Sequence, residues 1–141
     1  MTVNTATARY EGMGKEGKGH VRSKSGVIDA PYGYGTRFGG EPGTNPEEMI
    51  AAAHASCFTM ATSFALAKAG HAQGTLETEC RVTLEPDGDS FKVTRSELHL
   101  TGRLPGVARD QFEALAQDAK ANCPISKLLN CEITLETEFQ G

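Results

Sequence analysis

The chain has 141 residues, of which 38% are hydrophobic and 23% charged, with a net charge of −4 and no tryptophan. That suffices for a single folded domain over 1–141 with one core, and it excludes the low hydrophobicity and high charge of a disordered chain. Basic and acidic residues are interspersed with no Lys/Arg run, which argues against nucleic acid as a partner.

The start, MTVNTATARYEG, is polar and lacks the apolar centre of a signal peptide. We therefore expect a cytoplasmic protein, whose thiols stay reduced unless they are redox-active. In residues 1–40, TVNTATARYEG and GHVRSKSGVIDA read as strands joined by the Gly/Lys turn MGKEGKG. The following PYGYGTRFGGEPG is dense in Gly and Pro and reads as an extended surface loop, a place where function often resides.

A helix signal comes next. TNPEE places Asn45 at the N-cap, Pro46 at the first helical position and Glu47 and Glu48 in the first turn. Asn45 with Glu48 resembles a capping box. The helix should run to Lys68 or Ala69 and stop at Gly70. MIAAAHASCFTMATSFALAKAG is long enough to span a bilayer. Its alanines and hydroxyls make it weakly hydrophobic, and it reads as a helix surrounded by protein.

Downstream, TLETECRVTL alternates cleanly, with Leu76, Thr78, Cys80, Val82 and Leu84 on one face. EPDGDS is a hairpin turn. In FKVTRSELHLTGRL, Phe91 and Val93 are out of phase with Leu98 and Leu100, which predicts a β-bulge near Arg95–Ser96. PGVARDQFEALAQDAKANC and CPISKLLN are two further helices, and CEITLETEF is a final strand with Cys131 facing in. The order ββ–α–ββ–αα–β indicates an α+β fold.

Four cysteines, Cys57, Cys80, Cys123 and Cys131, form no CxxC pair and no zinc-ribbon spacing. Cys80 and Cys131 lie on inward strand faces and read as core residues. Cys123 precedes Pro124 at a helix entrance, where unpaired backbone N–H groups favour a thiolate, although it could equally fill a tight corner. Cys57 is mid-helix, so an acidic thiol there needs a cation against it. His54, three residues earlier, fits either a Cys–His nucleophilic pair or a hydrogen-bonded core histidine. Arg37 is the only Arg or Lys between Lys24 and Lys68. It fits a functional cation or a solvated surface residue. Glu47 fits a partner for Arg37 or a helix-dipole complement.

GTNPEEMIAAAHASCF together with ANCPISKLL resembles the OsmC/Ohr family of thiol peroxidases, on the OsmC side. PYGYGTRFGGEPGTNPEE is similar to that family's arginine loop. The resemblance extends from about Gly19 to the C-terminus and implies an OsmC-like fold, with antiparallel sheets around a long central helix in an intertwined homodimer. It implies reduction of organic hydroperoxides to alcohols through cysteine, without metal or flavin. Cys57 would attack the peroxide and become a sulfenic acid. Cys123 would then close a disulfide with it, and a dithiol or lipoyl-type reductant would recycle the pair. Arg37 would hold Cys57 as thiolate and bind the peroxide, with Glu47 orienting Arg37 through a bidentate pair.

Glu47 and Cys57 are ten residues apart, or roughly 15 Å along a straight helix. Helical side chains lean toward the N-terminus, which carries Glu47 further away. A shared site therefore needs Glu47, and Arg37 with it, from the second subunit of a twofold dimer. Two rival readings remain: a Cys57/His54 hydrolase or acyltransferase, and a non-catalytic module for a hydrophobic ligand or a metal. The first needs His54 in reach of Cys57 and an oxyanion hole.

Overall fold

Three strands open the chain: β1 (Ala6–Glu11), β2 (Lys18–Ser23) and β3 (Asp29–Tyr32), paired as an antiparallel meander. The computed structural model describes all 141 residues. The segment GHVRSKSGVIDA, expected as one strand, turns back on itself between Ser23 and Asp29. The Ser23 hydroxyl accepts from the Ile28 backbone N–H at 3.0 Å, and Gly26 adopts φ 78°. Serine side chains competing for local backbone groups favour such a turn over a continuous strand.

The Gly/Pro-rich stretch expected to be a loop contains one short helix, α1 (Tyr34–Phe38). Thr36 accounts for it. Its hydroxyl accepts from the Gly33 N–H at 2.8 Å and donates to the Gly33 carbonyl at 3.0 Å, which ties the first turn together. These elements belong to one compact unit, Met1–Met49; Ile50–Gly141 forms a second.

The long helix α2 runs unbroken from Pro46 to Lys68. Asn45 caps it through its side-chain carbonyl, which accepts from the Glu48 N–H at 2.8 Å. The Glu48 carboxylate does not complete a capping box; it accepts instead from the Thr44 hydroxyl at 2.8 Å. Gly70 ends the helix region at φ 96°, a conformation only glycine adopts without strain.

In the second unit β4 (Thr75–Asp87) and β5 (Ser90–Arg103) form a long antiparallel hairpin. Thr83 faces Arg95 and Leu84 faces Val93, so Thr94 is the extra residue of a bulge. It lies one position from the expected place and brings the two apolar phases of β5 onto one face. Helices α3 (Arg109–Asn122) and α4 (Pro124–Leu128) follow, and β6 (Glu132–Gln140) completes the sheet in the order β4-β5-β6.

The expectation of antiparallel sheets is corrected here: β6 lies parallel to β5, with Arg95 opposite Glu132 and Arg103 opposite Gln140. The two helices between the strands carry the chain back to the starting end of β5, as a parallel pairing requires.

The core of this unit joins Phe58 and Leu66 of α2, Leu98 and Leu100 of β5, and Phe112, Ala116 and Ala119 of α3. Each buried aromatic or aliphatic side chain stabilises the fold by about 1.5–3 kcal/mol relative to exposure. The buried residues of α2 are His54, Phe58, Thr62 and Leu66, one every four positions and therefore one stripe. Cys57 and Ala61 flank the stripe half-buried, and a further face is open in the single chain, with Met60 59% and Phe64 69% exposed. Gly102 is required on β5: a Cβ there would lie 2.7 Å from the Phe112 ring.

Candidate active site

Arg37 sits in the last turn of α1 and Glu47 in the first turn of α2. The guanidinium donates from Nε to Oε1 at 2.7 Å and from Nη2 to Oε2 at 2.9 Å. This is the two-pronged geometry that orients an arginine rather than merely neutralising it. The Glu47 side chain is only 12% exposed, while that of Arg37 retains 34%, so the carboxylate is a fixed base and the guanidinium still presents an accessible face. A cleft of about 320 Å³ opens beside Arg37, lined by Tyr10, Tyr32, Tyr34 and Phe38. Lys15 also lines it, over the Tyr34 ring; aromatic walls with the fixed Arg37 guanidinium suit a largely apolar molecule carrying a polar end.

In the second unit, α4 brings Cys57 and Cys123 together. Cys123 caps α4, and its sulfur accepts from the Ser126 backbone N–H at 3.3 Å. The Ile125 backbone N–H and the Cys123 side chain are the neighbours that act on the Cys57 thiol. The first turn of any helix leaves backbone donors unpaired. Here Pro124 has no N–H to offer; the Ser126 N–H goes to Cys123 and the Ile125 N–H acts on Cys57. The helix entrance expected to act on Cys123 alone therefore serves Cys57 as well. Cys123 is 1% exposed, whereas Cys57 is only partly buried, which gives it access to solvent.

Burial, reinforced by the neighbouring Cys123, pushes the Cys57 thiol above its ordinary value, and the Ile125 N–H only partly opposes this. No cation of the Ile50–Gly141 unit is among the groups acting on it. Burial likewise pushes Cys80 and Cys131 up.

His54 is fully buried and does not pair with Cys57. Its Nδ1 meets the Ser96 hydroxyl at 2.6 Å and its Nε2 the Ser126 hydroxyl at 2.8 Å. With both nitrogens engaged by serines, the geometry required for a Cys57/His54 hydrolase is missing. Burial holds His54 below its ordinary value, so it is neutral. Cys80 lies beside this pair, its sulfur 3.2 Å from the Ser96 hydroxyl. No three His, Cys, Asp or Glu side chains converge as a metal site would need.

Matching against protein families finds the OsmC-like protein family over residues 38–138, a span that holds the two thiols and Glu47. This chain belongs to the OsmC-like family. Over 143 aligned residues, covering all of both chains, it is 44% identical to the protein named peroxiredoxin OsmC of Escherichia coli K12. Among solved structures it resembles the organic hydroperoxide resistance protein OhrB of Bacillus subtilis, with a TM-score of 0.71, 28% identity and coverage of 95% of this chain and 98% of that one. It also resembles an organic hydroperoxide resistance protein of Elizabethkingia anophelis, with a TM-score of 0.75, 26% identity and coverage of 99% and 98%.

Within this OsmC-like chain the candidate residues form two pairs, Arg37 with Glu47 and Cys57 with Cys123. Sequence reading missed Ile125, Ser126 and Ser96. Two signals pointed to the serines: Ser126 stands at the helical spacing from Cys123 that lets a cap meet its own first turn, and Ser96 is a polar residue on the inward phase of β5 with Leu98 and Leu100.

Proposed function

We propose that this OsmC-like protein is a cysteine peroxidase that reduces organic hydroperoxides to alcohols, with Cys57 as the attacking thiol and Cys123 as the resolving one. The observation that carries this reading is the contact of the two thiols at the start of α4, one partly open and the other buried. The Cys57 thiolate attacks the terminal peroxide oxygen. The O–O bond breaks, the alkoxide leaves with the electron pair and takes up a proton, and Cys57 becomes a sulfenic acid. Cys123 then displaces that oxygen as water and closes a Cys57–Cys123 disulfide. A dithiol or lipoyl-type reductant restores both thiols, in a cytoplasmic setting.

The thiolate needs a cation, because burial alone favours the thiol. Arg37, fixed by Glu47, is the group suited to that role, and its free face can also hold the peroxide oxygens. Along unbroken α2, Glu47 stands about 15 Å of helical rise from the Cys57 of its own chain. The reading therefore places Arg37 and Glu47 in the partner's site across a homodimer. The uncovered Met60 and Phe64 face of α2 supports such an interface. The aromatic cleft favours alkyl or fatty-acid hydroperoxides over hydrogen peroxide.

The decisive experiment is stoichiometric. Reduced protein is titrated with cumene hydroperoxide, the thiols lost are counted and the disulfide is mapped. The expected product is a Cys57–Cys123 bridge that does not form in Cys57→Ser. Thiols left intact by excess peroxide would overturn the reading.

A further inference from the structure

A continuous line of hydrogen bonds leads inward from Cys123. Its sulfur lies 3.1 Å from the Ser126 hydroxyl, which lies 2.8 Å from His54 Nε2. On the far side of the ring, Nδ1 lies 2.6 Å from the Ser96 hydroxyl, which lies 3.2 Å from the Cys80 sulfur. Four separate elements, α2, β4, β5 and α4, supply these five side chains.

The proton arrangement follows from the partners. With His54 protonated at Nδ1, that N–H donates to Ser96 and the Ser96 hydroxyl donates to Cys80. On the other side Nε2 is an open acceptor for the Ser126 hydroxyl, whose oxygen in turn accepts the Cys123 S–H. Every N–H and O–H donor of the line is then matched, in keeping with the absence of any unsatisfied buried side-chain N or O. A serine that accepts from a thiol while donating to an imidazole is the arrangement of a proton relay.

We propose that Ser126 and His54 take up the Cys123 proton during closure of the disulfide, with Ser126 in contact with the reacting sulfur and His54 acting through it as a positioning residue and proton store. The proposal rests on the peroxidase reading above. The Cys123 S–H bond breaks as its proton passes to Ser126 Oγ and the Ser126 proton passes to His54 Nε2. The freed sulfur pair forms the S–S bond to Cys57, and the S–O bond of the sulfenic acid breaks. The departing oxygen keeps that bond's electrons and takes back one proton, released by His54 through Ser126, to become water. In sum, one sulfenic acid and one thiol give one disulfide and one water, and His54 ends neutral as it began.

The surroundings suit this timing. Burial disfavours a charged His54 at rest, so the imidazole takes up a proton only when a sulfenic acid is there to drive closure. The Ser126 N–H donates to the same sulfur and stabilises negative charge on it as the proton leaves. The titratable groups around the line are Cys57 on α2, Cys80 on β4 with Glu97 and Cys131 acting on it, and Cys123 itself. None of these groups of the Ile50–Gly141 unit is a cation.

The test separates the two chemical steps. Reduced protein is mixed rapidly with one equivalent of cumene hydroperoxide. Dimedone trapping reports the Cys57 sulfenic acid, and loss of the second thiol reports closure, from mildly acidic to mildly alkaline pH. In the native protein closure should vary little with pH. In Ser126→Ala it should slow by about tenfold or more at neutral pH, the low end of general acid–base effects. It should also rise about tenfold per pH unit, because only thiolate formed beforehand can attack, and trapped sulfenic acid should accumulate. His54→Gln should behave like Ser126→Ala, and Ser126→Thr, which keeps the hydroxyl, should restore both rate and profile. Ser126→Ala closing with the native pH profile, whether at native speed or uniformly slower, would overturn the relay. A native protein that forms neither sulfenic acid nor disulfide would overturn the peroxidase reading, and the relay with it.

Discussion

Arg37 and Glu47 meet edge to edge through two parallel hydrogen bonds, at 2.7 and 2.9 Å. A lysine could reproduce the charge but not the fork. The burial of Glu47 matters as much as its charge, because a carboxylate held by its surroundings lets the guanidinium be held in turn.

The first prediction follows from this pair. Cys57 is pushed toward the thiol by burial and has no opposing cation within its own unit. Removing Arg37 should therefore raise its pKa further, by about one unit or more, so that the thiolate at neutral pH falls about tenfold. Arg37→Ala should show this in the pH dependence of Cys57 alkylation, with a matching loss in the rate of hydroperoxide reduction. Arg37→Lys should recover only part of it. An unchanged rate at neutral pH in Arg37→Ala would remove the arginine from the mechanism.

Sharing of the site between chains can be read separately. Cys57→Ser is expected to be inactive alone, and Glu47→Ala, which leaves Arg37 unoriented, to keep no more than about a tenth of native activity. Mixed and allowed to exchange subunits, they form heterodimers in which the intact Cys57 of one chain meets the intact Arg37 and Glu47 of the other. About one quarter of native activity should return, since half the dimers are mixed and each has one complete site. No recovery after demonstrated exchange would mean that each chain completes its own site.

Some of this was legible in the residues and some was not, for physical reasons. The start and end of α2 were plain, because Asn45, Pro46 and Gly70 act on their own backbone and need no tertiary information. The bulge in β5 was visible as a phase slip and lay within a residue of its expected place, at Thr94. The parallel pairing of β6 was not visible, since the alternation in CEITLETEF is the same for either direction. Nor was the short helix α1, where one threonine outweighs a Gly/Pro-rich composition. At the site, the cysteines and Arg37 stood out by type and spacing, whereas the roles of Ser96 and Ser126 depend on contacts spanning 42 and 72 residues to His54.

The open face of α2 yields a prediction about assembly. Met60 and Phe64 are four residues apart, on one face of the helix, and both are largely exposed in the single chain. Phe64→Asp should shift the protein from dimer to monomer in sedimentation velocity, and hydroperoxide reduction should fall with the dimer fraction. Circular dichroism should keep its native form, because neither side chain belongs to the core of the unit. A variant that stays dimeric and fully active would place the interface elsewhere.

Core packing gives a prediction independent of the chemistry. Phe112 is fully buried, packs against Phe139 with ring centroids 5.4 Å apart and the rings tilted by 37°, and lies over Gly102. Phe112→Ala leaves a cavity at the join of α3 with β5 and β6, and should cost about 3–5 kcal/mol in urea unfolding. Gly102→Ala attacks the same contact from the other side by overpacking, and should cost about 1–3 kcal/mol. If Gly102→Ala proved neutral, the ring would have to be free to shift.

His54 should also leave a signature in the pH dependence of stability. Its pKa in the folded protein lies below the ordinary 6.5, and burial is the cause. Between those two values the unfolded chain binds a proton that the folded one refuses, so unfolding takes up protons and stability falls as the pH is lowered. The loss should begin near 6.5 and continue down to the depressed folded value. The other three histidines are more exposed: His20 beside Asp29, His71 beside Gln111, and His99 near Glu136 and Glu138. Only His54 has both ring nitrogens committed inside the core. Urea midpoints measured at steps of pH should therefore slope downward on acidification in the native protein. His54→Gln can still reach a serine with its amide but cannot titrate, and it should flatten that slope. An equal slope in both proteins would mean that His54 accepts its proton without leaving the fold, and that the line of serines can carry a charged imidazole.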